Sequence, residues 1–254
     1  MFEVLMTGVG DAFSTRHWGT HFLLRKDDYI LAIDCPDSYR RALRTSGFQH
    51  GTEPLDAHHI DAMVLTHLHG DHVNGLEMLA CYLRFAHERR LPLYTSPDTA
   101  VDLWPRLRPS LKVLWDGTTF HEQSLESFLD VTEVAWNTTF EVGPFQITAR
   151  PTMHHLPAMA MRITDGNATL GYSCDTAFDE ELIEWLSDAD LIIHESSLGA
   201  AHTPLHKLMG LPEELRQKML VVHYPDEMIG ADLDELELAT EGTSYPVDVR
   251  RGAR

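Results

Sequence analysis

The chain has 254 residues, 16 of them histidine, and 20 Lys plus Arg against 39 Asp plus Glu give a formal net charge of −19. Hydrophobic residues at 43% and charged residues at 23% are globular values and exclude a disordered or collagen-like chain. A surface this acidic repels phosphate backbones, which counts against a general nucleic-acid binder.

No repeat, low-complexity tract or linker divides the sequence. It reads as one domain over 1–254, with a loosely attached acidic tail from about Asp226 that closes on Arg250, Arg251 and Arg254. The first residues lack the basic start and apolar run of a signal peptide, and no window approaches the roughly 18 apolar residues of a membrane span. Cys35, Cys81 and Cys174 form neither a CxxC pair nor an even framework, so reduced thiols and a cytoplasmic location are expected.

The elements follow in chain order. Tyr29 to Ile33 is a compact apolar strand stopped by Asp34-Cys35-Pro36. Leu76, Leu79, Ala80 and Leu83 fall at i, i+3, i+4 and i+7, an amphipathic helix entered after Gly75. The most basic stretch, Trp104 to Lys112, is leucine-laced and suits a cover or the contact of a homodimer. Gln146 to Thr152 reads as a strand ended by the loop Met153-His154-His155-Leu156-Pro157. Glu180 to Leu186 begins a helix with acidic residues at its positive end, and Pro212 opens another as its first residue. Three short apolar strands run into titratable residues: Met63-Val64-Leu65 into Thr66-His67, Leu191-Ile192-Ile193 into His194-Glu195, and Leu220-Val221-Val222 into His223. Such endings place a site where loops converge at a sheet edge.

The densest chemistry is Thr66-His67-Leu68-His69-Gly70-Asp71-His72. His67 and His69, two apart on an extended stretch, point the same way and can hold one ion. Gly70 lets the chain turn, after which Asp71 and His72 can address a second. Imidazole with carboxylate suits zinc, iron or manganese better than calcium or magnesium. His50, His58, His59, His87 and His121, in polar or helical contexts, are expected at the surface.

HxHxDH after a short apolar strand resembles the metallo-β-lactamase superfamily, and the order of the remaining candidates fits it over roughly residues 1 to 225. The resemblance implies an α/β fold, the four-layer αββα sandwich. It implies that His67, His69 and His154 hold one divalent ion, that Asp71, His72 and His223 hold a second, and that Asp175 bridges them. Zinc is the first choice of metal, with manganese or iron as alternatives. His155 competes with His154 for the third position; counting back from Pro157 favours His154. The ions would lie roughly 3.5–4 Å apart and share a hydroxide that acts as nucleophile. Asp34 is a candidate to accept an imidazole N–H, or else a turn cap. His17 and His21, near Phe13 and Trp18, sit in a glycine-flanked loop that borders the site in the family.

Two further segments resemble the ribonuclease Z-like phosphodiesterase branch: Leu191 to Ser196 around His194-Glu195, and His202-Thr203 ahead of His223. By that resemblance Asp71, Glu195 and His202 are the catalytic residues, with Glu195 holding an imidazolium that protonates the leaving alkoxide; a structural salt link is the other reading of that pair. The basic arm of a tRNA-processing enzyme is absent, so tRNA is not the expected partner. The expected substrate is a small phosphodiester such as a cyclic nucleotide. A lactone, thioester or β-lactam hydrolase would use the same donors, and a di-iron redox or metal-sequestering protein is the non-hydrolytic alternative.

Overall fold

The computed structural model describes residues 1–248, so Arg250, Arg251 and Arg254 lie outside the described residues. Strands in which both alternating faces are apolar must be covered on both sides. Strand β3 (Tyr29–Ile33) is the example: Ile30 and Ala32 pack one way with Met63 and Leu65, and Leu31 and Ile33 pack the other way with Val64, Ile147 and Met161.

Strand β3 belongs to a seven-stranded sheet with β1 (Phe2–Gly8), β2 (His21–Lys26), β4 (Ala62–Val64), β5 (Leu91–Thr95), β6 (Leu129–Glu133) and β14 (Ser244–Val247), in the order β6-β5-β4-β3-β2-β1-β14. The second sheet contains β7 (Thr139–Val142), β8 (Phe145–Pro151), β9 (Met159–Thr164), β10 (Thr169–Tyr172), β11 (Leu191–Glu195), β12 (Met219–Val222) and β13 (Glu237–Leu238), paired in chain order. In each sheet antiparallel pairs give way to parallel ones, β3 to β6 in the first and β10 to β13 in the second.

Helices cover the outer faces. The helix Leu76–His87 buries Leu76, Leu79, Ala80 and Leu83, and the helix Pro97–Leu111 buries Leu103, Leu107 and Leu111. The basic stretch is therefore the second half of a covering helix. Glu180–Leu186 packs on the second sheet at Gly171, where a Cβ would sit 3.0 Å from Leu186 Cδ2. The result is the αββα sandwich.

Two details differ from the sequence reading. The segment after Asp226, expected to be a loose tail, supplies an edge strand to each sheet and buries Leu233, Leu236, Ala239, Tyr245 and Val247. Pro212 is the cap of the helix Glu213–Arg216 rather than its first residue. No helix among the described residues is long and apolar enough to cross a membrane.

Candidate metal centre

The C-terminal ends of β3, β4, β8, β10, β11 and β12 meet at one edge of the sandwich, where Asp34, His67, His154, Asp175 and His223 follow their strands and Glu195 is the last residue of β11. At three of these ends a non-glycine residue takes a left-handed backbone: Asp34 at φ 64°, Cys174 at φ 53° and His223 at φ 54°. Each conformation costs about 1–2 kcal/mol and turns the chain sharply where a strand would otherwise run on. The loops after β3 and before the helix Leu76–His87 dock backbone to backbone. Cys35 N–H donates to His72 O (2.8 Å) and Gly75 N–H to Cys35 O (2.9 Å), and a Cβ at Gly75 would lie 2.0 Å from Pro36 O.

The donors fall into two groups. His67 Nε2 lies 3.2 Å from His69 Nδ1, His154 Nε2 2.9 Å from the same atom, and both Nε2 atoms 3.8 Å from Asp175 Oδ2. His223 Nε2 lies 3.1 Å from Asp71 Oδ2 and 3.5 Å from Asp175 Oδ2, and His72 Nε2 is 3.6 Å from Asp71 Oδ2 and 3.4 Å from Asp175 Oδ1. Tetrahedral zinc with bonds of about 2.0–2.1 Å sets its ligands about 3.3 Å apart, so both groups have the right size.

Hydrogen bonds fix the ring tautomers. Asp34 accepts Thr66 N–H at Oδ1, and Thr66 Oγ1–H and His72 Nδ1–H at Oδ2, each at 2.8 Å. Thr66 Oγ1, having donated its proton, accepts from His67 Nδ1–H (3.0 Å). His154 Nδ1–H donates to Ala201 O (3.1 Å). Each of these rings therefore turns the lone pair of Nε2 toward the donor group. His72 Nε2 and Asp175 Oδ1 are buried with no hydrogen-bond partner, an arrangement that costs free energy unless a cation completes it. These residues fit divalent cations.

The electrostatics agree. Burial holds His67 well below the usual histidine range and His154 down to about 4, so both offer neutral nitrogen. Burial opposes a proton on His72 and on His223 too, but Asp175 and Asp34 outweigh it at His72, and Asp175 and Asp71 raise His223 to about 9. The field that would keep protons there would equally favour a divalent cation. Replacing Asp34 by alanine frees the His72 ring and unseats Thr66 beneath His67; the expected result is a 10- to 100-fold weaker metal affinity, read by competition with a chromophoric chelator.

Glu195 Oε1 accepts from Thr176 N–H (2.9 Å), Thr203 N–H (3.3 Å) and His202 Nδ1–H (3.1 Å). Burial raises the Glu195 carboxyl, while burial at His202 is overcome by the bond its Nδ1–H donates to Glu195, which raises the imidazole. His202 lines a cleft of 340 Å³ together with Asp71, Asp175 and His223, and its ring centroid is 5.3 Å from that of His223. A larger apolar groove of 680 Å³ lies between the helices Tyr39–Thr45 and Leu76–His87 and contains none of the donors.

The remaining histidines divide. His155 is exposed on the cleft rim, outside the donor groups. His21 is buried, donates from Nδ1 to Gly19 O (2.8 Å) and packs on Tyr39; His17 faces Glu241 at 3.5 Å. Neither lines the cleft, which that loop reaches through Ala12 and Phe13. His58 and His59 are half-buried rather than at the surface, and His58 stacks on His87 at 4.6 Å. They do not form another metal site with Glu53, because His59 Nδ1 accepts Asp56 N–H (3.1 Å), so Nε2 of the neutral ring carries the proton. Thr66, which joins Asp34 to His67, was missed in the sequence; no local pattern links it to a residue 32 positions earlier.

The model of the family "Anti-Pycsar protein Apyc1" matches residues 2–245. A relative of that name from Saccharibacillus brassicae is 32% identical over 252 residues, covering 95% of this chain and 98% of its own. Among solved structures, the metallo-β-lactamase fold protein YhfI from Bacillus subtilis superposes with a TM-score of 0.75 at 21% identity, over 97% of this chain and all of that one. A diphosphatase from the PhnP family superposes at 0.74 with 15% identity over 98% of each chain. Identities this low carry the fold alone.

Fold and donors together make a metallo-β-lactamase fold with a candidate metal centre at its strand ends. The chain belongs to the Anti-Pycsar protein Apyc1 family.

Proposed function

We propose that the protein is a phosphodiesterase acting on a small cyclic nucleotide, with two divalent cations, zinc first, held by His67, His69 and His154 on one side and Asp71, His72 and His223 on the other, and Asp175 shared between them. The observation that carries the reading is His202, held by Glu195 on the wall of the cleft that also contains Asp71, Asp175 and His223. Cations bound there would neutralise charge on the phosphate and activate water.

The chain's own residues do the rest. Asp34, Thr66 and the Ala201 carbonyl orient the imidazoles. Water adds across one P–O bond, and His202 gives its proton to the departing ribose oxygen. Glu195 keeps that imidazole protonated and aimed. An alkoxide, a poorer leaving group than a phenolate, needs such a proton, whereas the thiolate leaving from a thioester does not. A compact substrate suits a cleft of 340 Å³ better than tRNA does, and a net charge of −19 opposes a polyanion. Membership in the Apyc1 family and the fold shared with a diphosphatase support phosphate-ester chemistry.

The test is a panel of cyclic nucleotides, lactones and thioesters, with metal analysis on the same sample. Turnover of a cyclic nucleotide to its monophosphate is expected. Rapid lactone or thioester turnover by fully metallated protein that leaves every cyclic nucleotide intact would overturn the proposal.

A further inference from the structure

Two large apolar side chains at the cleft are turned outward: Phe13 is 88% exposed and Leu198 is 70% exposed, both among its lining residues. Exposed apolar residues scattered singly are ordinary. These two are neither scattered nor on slack loops.

One buried carboxylate ties their segments together. Asp11 Oδ1 accepts Phe13 N–H (3.0 Å), and Asp11 Oδ2 accepts Ser197 Oγ–H (3.0 Å), next to Leu198. The loop bearing Phe13 is pinned further along. Asp226 accepts from Ser14 Oγ (2.6 Å) and from Thr15 N and Oγ1 (3.0 and 2.8 Å), and Glu241 accepts Trp18 N–H (2.7 Å). The backbone is thus held in place while the ring it carries touches mainly water. Holding an aromatic ring in water gains nothing for folding; held beside a donor cluster, it presents a ready face to a ligand.

We infer that Phe13 and Leu198 form an apolar clamp for the nucleobase of the substrate, with Asp11 as the positioning residue that sets the gap between them. The inference takes its nucleobase from the activity proposed above. The cleft is accordingly two-sided: Asp71, Asp175, His202 and His223 at the phosphate end, and Phe13 with Leu198 at the base end. A π-face is common to every base, so the clamp accepts purines and pyrimidines alike and discriminates chiefly against ligands that lack a base.

The experiment is calorimetric titration of the metal-loaded protein with uridine 5′-monophosphate, adenosine 5′-monophosphate and ribose 5-phosphate. The clamp predicts that both nucleotides bind on the order of 10-fold more tightly than ribose 5-phosphate, which is the scale of one base stacked on one aromatic ring. In Phe13→Ala that ratio falls toward one, Leu198→Ala lowers it in part, and Phe13→Trp restores it. With a cyclic nucleotide as substrate, Phe13→Ala raises KM rather than lowering kcat. A ratio near one in the unsubstituted protein, or a ratio that Phe13→Ala leaves standing, overturns the clamp even if cyclic nucleotides are hydrolysed. A ratio that collapses in Phe13→Ala while no cyclic nucleotide is turned over upholds the clamp and removes the proposed activity instead.

Discussion

Asp175→Ala is expected to lower phosphodiester turnover by at least about 1,000-fold, because several kcal/mol of charge stabilisation disappear with the cations that supply it. Asp175 is the one side chain that both donor groups share: its oxygens lie 3.4 to 3.8 Å from Nε2 of His67, His72, His154 and His223. Without it each group loses an anionic ligand, and His72 loses the largest of the charges that favour a cation beside it. The His67 and His72 ring centroids are only 4.2 Å apart, so nothing between them would offset two positive charges. Asp175→Asn keeps the volume and removes the charge, and should lose nearly as much activity. A thermal melt showing that both variants remain folded separates this from collapse of the sandwich. Activity within 10-fold of the unsubstituted protein would contradict the assignment.

The second large effect belongs to His202. Removing a general acid that protonates a ribose alkoxide costs about 10²- to 10⁴-fold in kcat, so His202→Ala should fall in that range on a cyclic nucleotide. On bis-p-nitrophenyl phosphate, whose phenolate departs without help, the loss should be less than about 10-fold. The contrast between the two substrates is the informative quantity. A purely structural link between Glu195 and His202 would lower both rates together, and equal losses would therefore remove His202 from the chemistry.

Much of the candidate site was legible because its residues lie at or just after the ends of short apolar strands. The run His67 to His72 sits at the end of β4, and alternation alone places His67 and His69 on one side. His223 and Glu195 follow from the same pattern. Asp34 was recognisable as a strand-end carboxylate, but its partners were not, since Thr66 and His72 reach it from 32 and 38 residues away. The coupling of Asp11 to Ser197 spans 186 residues and leaves no local trace.

The C-terminal segment shows the other kind of failure. Its acidic composition suggested a tail, yet Ser244-Tyr245-Pro246-Val247 alternates exposed and buried residues and pairs with β1 from the far end of the chain. Pro246 is at home there, because β14 is an edge strand. His21, read as part of a glycine-flanked loop that borders the site, opens β2 instead, and its ring is buried, where burial lowers it to about 4.

Elemental analysis of protein stripped with a chelator, reconstituted with zinc and dialysed counts the bound ions outright. Two tightly held ions per chain are expected, falling to one or fewer in both Asp175→Ala and His223→Ala. A chain that retains no transition metal, or that keeps two ions after either substitution, would contradict the two-cation assignment.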